Sequence, residues 1–137
     1  MKLHDSKVVV SGIAKGNALV SDMPLSFWGG VDVKSGEIID VYHSLNGECV
    51  TNQVLCIPYD RGSCSGSGIM LEMIRQNSAP AAIICLEAEP VLTLGSVMGN
   101  KIYGHGVVIH TVSKEVFKSI KHGTKIFIDD SGIRVEN

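Results

Sequence analysis

Aromatic residues are scarce in this sequence: Phe, Trp and Tyr together make up 5% of its 137 residues. Charged residues are also few, at 19%, and the formal net charge is only −2. A nucleic-acid interface needs a basic stripe, usually with interleaved aromatics, and none is present. The low charge also excludes the composition of a disordered chain. Because apolar residues make up 45%, we expect a globular domain with an aliphatic core.

Long hydrophobic runs and close cysteine pairs are both lacking. No apolar run approaches the roughly 18 residues of a membrane span, and the first residues show no signal-peptide pattern, so we expect a cytoplasmic protein with no membrane contact. The four cysteines, Cys49, Cys56, Cys64 and Cys85, contain no C-x-x-C spacing. This favours reduced, partly buried thiols over a zinc or iron–sulfur site within the chain itself.

Apolar runs punctuated by glycine predict the secondary structure. Strands are expected at 7–10, 18–20, 37–41, 53–57, 81–86, 107–110, 125–128 and 133–135, the first two pairing across a glycine turn. Helical spacing predicts helices at 69–77, at 90–102, and after Ser113 as far as Gly123. Strands and helices alternate in the second half, which favours a partly parallel sheet. The predicted fold class is α/β: one domain over residues 1–137, built as a β/β/α barrel-like sandwich.

The junction between the strand at 53–57 and the following helix carries the strongest chemical signal. It reads Arg61-Gly62-Ser63-Cys64-Ser65-Gly66-Ser67. This position suits an anionic ligand, because it combines small residues, free backbone N–H groups and a positive helix end. Arg61 can bind such a ligand through its guanidinium. Spacing alone leaves open that these residues only form a turn and cap the helix. The junction matches neither a P-loop nor a nucleophile elbow.

Residues elsewhere are weaker candidates. Trp28, beside two glycines, either lines a site or partner surface or packs in the core. His43 is either a second acid–base group or, as expected of an exposed histidine near a turn, a solvated residue. The apolar stretch Leu92–Met98 is interpreted as core or as a docking surface for a partner. His105 and His110 do not have helical metal-ligand spacing, so no zinc site is predicted.

Four short sequence segments together resemble the aconitase X swivel domain family, and the resemblance covers essentially the whole chain. They are Ser26-Phe27-Trp28-Gly29-Gly30-Val31-Asp32, Gly36-Glu37-Ile38-Ile39-Asp40, His43-Ser44-Leu45-Asn46-Gly47-Glu48 and Arg61-Gly62-Ser63. The resemblance implies a β/β/α swivel domain that is the small subunit, or a fused part, of a dehydratase. It also implies a large partner subunit that holds an iron–sulfur cluster, whose iron acts as a Lewis acid on the leaving hydroxyl.

The resemblance assigns roles to the junction residues. Ser63 is expected to be the proton acceptor, assisted by a neighbouring cation or helix end. Arg61, Gly62, Ser65 and Ser67 are expected to bind the substrate. Whether Ser63, Ser65 or Ser67 is the base stays open, as does whether Cys64 approaches the cluster.

Family members act on cis-3-hydroxy-L-proline or on mevalonate 5-phosphate. The acidic Asp60 beside Arg61 offsets positive charge, which favours the zwitterionic hydroxyproline over the phosphate. Two rival interpretations remain open: a noncatalytic module that binds an anion or a partner, and an independent serine hydrolase, which requires a nearby His and acid.

Overall fold

The protein is built around one curled sheet. The computed structural model describes residues 2–60 and 66–136. The strands of the sheet are β1 (Lys2–His4), β2 (Lys7–Val10), β3 (Ala14–Val20), β4 (Val54–Cys56), β5 (Ala82–Cys85), β6 (Val108–Thr111), β7 (Lys125–Asp129) and β8 (Gly132–Val135). The helices around it are α1 (Phe27–Gly30), α2 (Gly66–Gln76), α3 (Pro90–Tyr103) and α4 (Lys114–Ser119).

The long strand β3 joins two halves of the sheet, whose strand order is β1-β8-β7-β3-β4-β5-β6-β2. Residues Ala14–Asn17 pair antiparallel with β7, and Ala18–Val20 pair parallel with β4. Strands β3, β4, β5 and β6 are parallel, and β2 adds an antiparallel edge. The predicted α/β class, with a partly parallel sheet in a barrel-like sandwich, is confirmed.

The parallel strands β4 and β5 are buried along their whole length. Helices α2 and α3 cover one face, where Met70, Met73 and Leu92 contribute to one apolar cluster. The antiparallel half curls over the other face, and Phe117 of α4 joins the second cluster there. Strands covered on both faces are apolar throughout, which is why the sequence shows continuous apolar runs rather than alternation.

Helix ends follow the capping signals in the sequence. At the start of α3, which has proline at its first position, the Glu89 carboxylate accepts a hydrogen bond from the backbone N–H of Leu92 at 2.8 Å. The Ser113 hydroxyl caps α4 as expected. However, α4 ends at Ser119, earlier than predicted, and Gly123 instead forms a turn in front of β7, with a φ of 88°.

Two predictions about the first third of the chain are wrong. Strand β2 does not pair with β3 but with β6, in the register Lys7↔Thr111. The strand expected at 37–41 is reduced to isolated bridges at Glu37 and Ile38. The chain between β3 and β4 forms an irregular hairpin with the bridge Val31↔Ile38, so its strand-like sequence extends no ladder of the main sheet.

Within residues 2–60 and 66–136, no helix combines the length and apolar character needed to cross a bilayer.

Candidate functional site

The chain enters the candidate junction from the carboxyl end of β4, the edge at which open α/β sheets place ligands. Beyond β4, the Pro58 carbonyl accepts hydrogen bonds from the N–H groups of Leu86 (2.9 Å) and Glu87 (3.2 Å), directly after β5. The described residues end at Asp60 and resume at Gly66, where α2 begins. The two ends of the junction are therefore defined.

The predicted site residues fall into two groups. Outside the described residues lie Arg61, Gly62, Ser63 and Ser65, together with Cys64. Ser67 is described: it is half-buried in the first turn of α2. The structure thus places one predicted substrate-binding residue, Ser67, at the end of the junction. The roles expected for Arg61, Gly62, Ser63, Ser65 and Ser67 stay predictions.

Helix α2 begins where an anion-binding helix end was expected. Its eleven residues start at Gly66, and its first turn contains no acidic residue. The N–H groups of its first turn, which have no acceptor within the helix itself, and the positive end of the helix dipole therefore lie at the end of the junction. Close packing of α3 holds this turn, since a Cβ on Gly95 would lie 2.7 Å from the Ser67 carbonyl oxygen and 2.9 Å from Met70 Cβ.

Asp60 anchors the other end of the junction. Its side chain is buried, and its Oδ1 accepts a hydrogen bond from the backbone N–H of Phe27 at 3.1 Å. Leu25 forms a parallel bridge with Asp60, and its N–H donates to the Tyr59 carbonyl at 3.4 Å. The last residues before the junction are thus tied to the segment at 25–27.

Trp28 is displayed on the surface by a kink in α1. Its own ψ of 114° and the φ of 80° at Gly29 are both non-helical. The Ser26 hydroxyl donates a hydrogen bond to the Trp28 carbonyl at 3.0 Å. Phe27 is fully buried whereas Trp28 is 58% exposed, so the core-packing alternative for Trp28 is wrong.

His43 is buried, contrary to the expectation of a solvated histidine. Its Nδ1 accepts a hydrogen bond from the backbone N–H of Leu45 at 3.1 Å, and its Nε2 lies 3.2 Å from the Met23 carbonyl oxygen. Both ring nitrogens are occupied by backbone groups, so His43 fixes the loop at 40–47 rather than presenting a free acid or base. No local pattern indicates this burial, because Met23 lies twenty residues away.

An open groove of about 530 Å³ lies between α4 and the carboxyl ends of β3, β4 and β5. Apolar residues line it, including Val20, Pro58, Leu86 and Phe117, and Lys118 also borders it. Lys114 borders both this groove and an adjoining recess of about 330 Å³ that includes Tyr59. Lys114 is a candidate cation that was not expected from the sequence, where its one signal is its place at the start of a capped helix just after β6.

Cysteines in the described part of the chain do not form a cluster site. Burial raises the pKa of the Cys56 thiol, with a smaller contribution from Cys85, to about 12, and burial alone raises the pKa of Cys85 to about 12. Cys49 is exposed, and its thiol donates to the Ser35 carbonyl. Across residues 2–60 and 66–136, no three His, Cys, Asp or Glu side chains group to hold a metal. Protonated core thiols do not fit an iron–sulfur cluster.

A solved structure defines the class of protein. The crystal structure of Thermococcus kodakaraensis aconitase X in its holo form superimposes with a TM-score of 0.85 and 30% identity, over 96% of this chain and 96% of that one. The curled sheet with its β/β/α layers is therefore a swivel-type domain. A family model described as aconitase X swivel domain matches residues 3–136, and the chain belongs to this family.

Curated relatives carry two names. A cis-3-hydroxy-L-proline dehydratase of Hypocrea jecorina is 40% identical over 81% of this chain, but the chain spans only 19% of that relative. A phosphomevalonate dehydratase small subunit of Methanothermobacter thermautotrophicus is 46% identical over 70% of this chain and 73% of the relative. The domain therefore resembles about a fifth of the first enzyme and most of the second subunit.

Proposed function

We propose that this chain is the swivel part of an aconitase X type dehydratase, a hydro-lyase completed by a large subunit. The observation that carries the proposal is the family match over residues 3–136, together with identities of 40% and 46% to proteins named as dehydratases. The position of the junction at the carboxyl edge of a parallel sheet, next to a helix start, supports a ligand site there.

Ser63 is the proposed proton acceptor. A serine hydroxyl is a weak base at neutral pH, so it needs neighbouring positive charge. The start of α2 at Gly66 supplies aligned N–H groups at the end of the junction, and Arg61 adds a guanidinium. Arg61, Gly62, Ser65 and Ser67 are the proposed substrate-binding residues.

Lys114 is a second proposed cation for the substrate. It borders both recesses at the carboxyl edge of the sheet, one of which includes Tyr59, two residues before Arg61. A second cation near the residues that lead into the junction suits a substrate with a carboxylate or phosphate. In this proposal, the iron–sulfur cluster belongs to the large subunit, and the complex is cytoplasmic.

The first proposed substrate is cis-3-hydroxy-L-proline. Asp60 supports it, because this buried carboxylate directly precedes Arg61 and reduces the net positive charge available to a phosphate. Mevalonate 5-phosphate is the second candidate. It is favoured by the 46% identity to a phosphomevalonate dehydratase small subunit, which exceeds the 40% identity to the hydroxyproline enzyme.

The test is turnover by the complex with its large subunit. The purified complex is assayed on both substrates, and the same assay is run on each subunit alone. Turnover of one substrate by the complex alone supports the proposal and identifies the substrate. A complex inert on both would contradict it.

Single alanine variants of Ser63, Ser65 and Ser67 then test the proposed base. We expect Ser63→Ala to lower kcat by at least about 100-fold, because general-base catalysis typically contributes that much. Ser65→Ala and Ser67→Ala should act mainly on KM. Normal kcat in Ser63→Ala combined with loss of binding in Arg61→Ala would favour the noncatalytic module instead.

A further inference from the structure

Five large apolar side chains are exposed beside the candidate junction. They are Trp28, Ile39, Val41, Tyr42 and Tyr59, with exposed fractions of 58%, 45%, 73%, 87% and 43%. We call them the hairpin-end surface. Together they expose on the order of 600 Å², which is near the ~800 Å² that each partner buries in a typical stable interface and at the upper limit of patches on monomers.

The register of the hairpin explains why these side chains share one end. Val31 pairs with Ile38, and the Gly30 carbonyl accepts hydrogen bonds from the N–H groups of Ile39 (2.9 Å) and Asp40 (3.3 Å). Trp28 precedes this end of the hairpin and Val41 follows it. The polar turn at 32–36 closes the opposite end. The apolar side chains are thus segregated from the polar turn.

This end of the hairpin is also the end that meets the candidate junction. The Tyr59 carbonyl accepts a hydrogen bond from the Leu25 N–H, and the Asp60 carboxylate accepts one from the N–H of Phe27, the neighbour of Trp28. A partner seated on the hairpin-end surface would therefore lie next to Tyr59 and Asp60, the last described residues before the proposed substrate site.

The surface has a fixed backbone. Ser26 holds the kink that displays Trp28, and the Asp40 carboxylate accepts a hydrogen bond from the Tyr42 N–H at 3.0 Å. The buried His43 ring secures the same loop from beneath. Ordering costs on binding are small for such a pre-formed surface.

We infer that the hairpin-end surface is the docking face for the large subunit of the dehydratase. This inference rests on the proposed function. The exposed area, the aromatic content and the hydrogen bonds to Tyr59 and Asp60 carry it, because aromatic residues are enriched at the centres of interfaces. A second apolar stripe on α3 is the comparison surface; it contains one aromatic ring against three, and its members are Leu94, Val97, Met98, Ile102 and Tyr103, with exposed fractions of 52%, 38%, 37%, 57% and 38%.

A charge scan of both surfaces in the complex tests the inference. Val41→Glu and Leu94→Glu each place a carboxylate on an exposed apolar site, and Trp28→Ala removes the largest side chain of the hairpin-end surface. The dissociation constant for the large subunit is measured by calorimetry, and circular dichroism with a melting curve checks each fold. We expect Val41→Glu and Trp28→Ala each to weaken binding by at least about tenfold, and Leu94→Glu to stay within about twofold.

Each other outcome overturns the inference in a distinguishable way. If the wild-type chain binds no large subunit, the proposed function fails first. If the wild type binds and Val41→Glu binds equally well, the function stands and the docking face is wrong. Loss of binding in Leu94→Glu alone would assign docking to α3. If the wild-type chain self-associates and Val41→Glu dissociates it, the surface binds a second copy instead.

Discussion

The carboxylate of Asp60 accepts a hydrogen bond from the backbone N–H of Phe27, 33 residues earlier in the chain, at 3.1 Å. This contact joins the last described residue before the candidate junction to the kinked segment that displays Trp28. The proposed substrate site and the proposed docking face therefore share one anchor. A change at Asp60 is expected to affect both.

Replacing Asp60 tests this anchor. In Asp60→Ala the buried Phe27 N–H loses its partner, and we expect a loss of about 1–3 kcal/mol in the free energy of unfolding. Asp60→Asn retains an acceptor oxygen and should lose less. Urea unfolding of both variants measures the difference, with Asp5→Ala, at an exposed position, as the control. Equal stability of Asp60→Ala and Asp5→Ala would show that the contact contributes little.

The elements that the sequence predicts well are those defined by local signals. Strands β4 and β5 are continuous apolar runs, and α3 has its proline start and glycine end, so their existence follows from the chain itself. The pairing of β2 with β6 and the burial of His43 depend on residues far away in sequence, and no periodicity encodes them. The sequence does not mark Lys114 as a candidate cation for the substrate, because a lone lysine on a short helix carries no such signal. Only the fold brings the ends of β3, β4 and β5 together beside it.

The close contact between α2 and α3 depends on Gly95. A methyl group there would lie 2.7 Å from the Ser67 carbonyl oxygen, a backbone atom that cannot move independently. We expect Gly95→Ala to cost about 1–3 kcal/mol and to shift the start of α2, which would raise KM for substrate. Gly68→Ala is the matched control on α2, since its Cβ meets no atom of residues 2–60 or 66–136 within 4 Å. It should leave stability unchanged or raise it by up to about 1 kcal/mol, as thermal unfolding will show. Equal effects of the two variants would contradict the packing argument.

Ser96 links α3 to the start of β6. Its hydroxyl donates to the Val107 carbonyl at 2.6 Å and accepts from the Val107 N–H at 2.8 Å, and the side chain is fully buried. Ser96→Ala leaves two buried backbone groups unpaired, so we expect a loss of about 2–4 kcal/mol in chemical denaturation. Ser119→Ala removes an exposed hydroxyl from α4 and should cost less than about 0.5 kcal/mol. A Ser96→Ala protein as stable as Ser119→Ala would refute this prediction.

His110 should make stability depend on pH. The ring is fully buried in β6; its Nδ1 lies 2.7 Å from the Ser6 hydroxyl, and its Nε2 has no partner among the described residues. Burial lowers the pKa of His110 below its ordinary value of 6.5, and the charges of Asp130 and Asp129 only partly oppose this. The unfolded chain therefore binds the proton more readily than the folded one.

The contribution of His110 is thus fully present above pH 6.5 and is lost as the pH falls from 6.5 towards the lowered pKa of the folded state. We expect the free energy of unfolding of the wild type, measured from about pH 8 to about pH 5, to fall more steeply than that of His110→Leu. The difference between the two curves cancels the other four histidines, which both proteins share. Parallel curves would mean that His110 binds a proton equally readily in the folded and unfolded states, which would contradict the prediction.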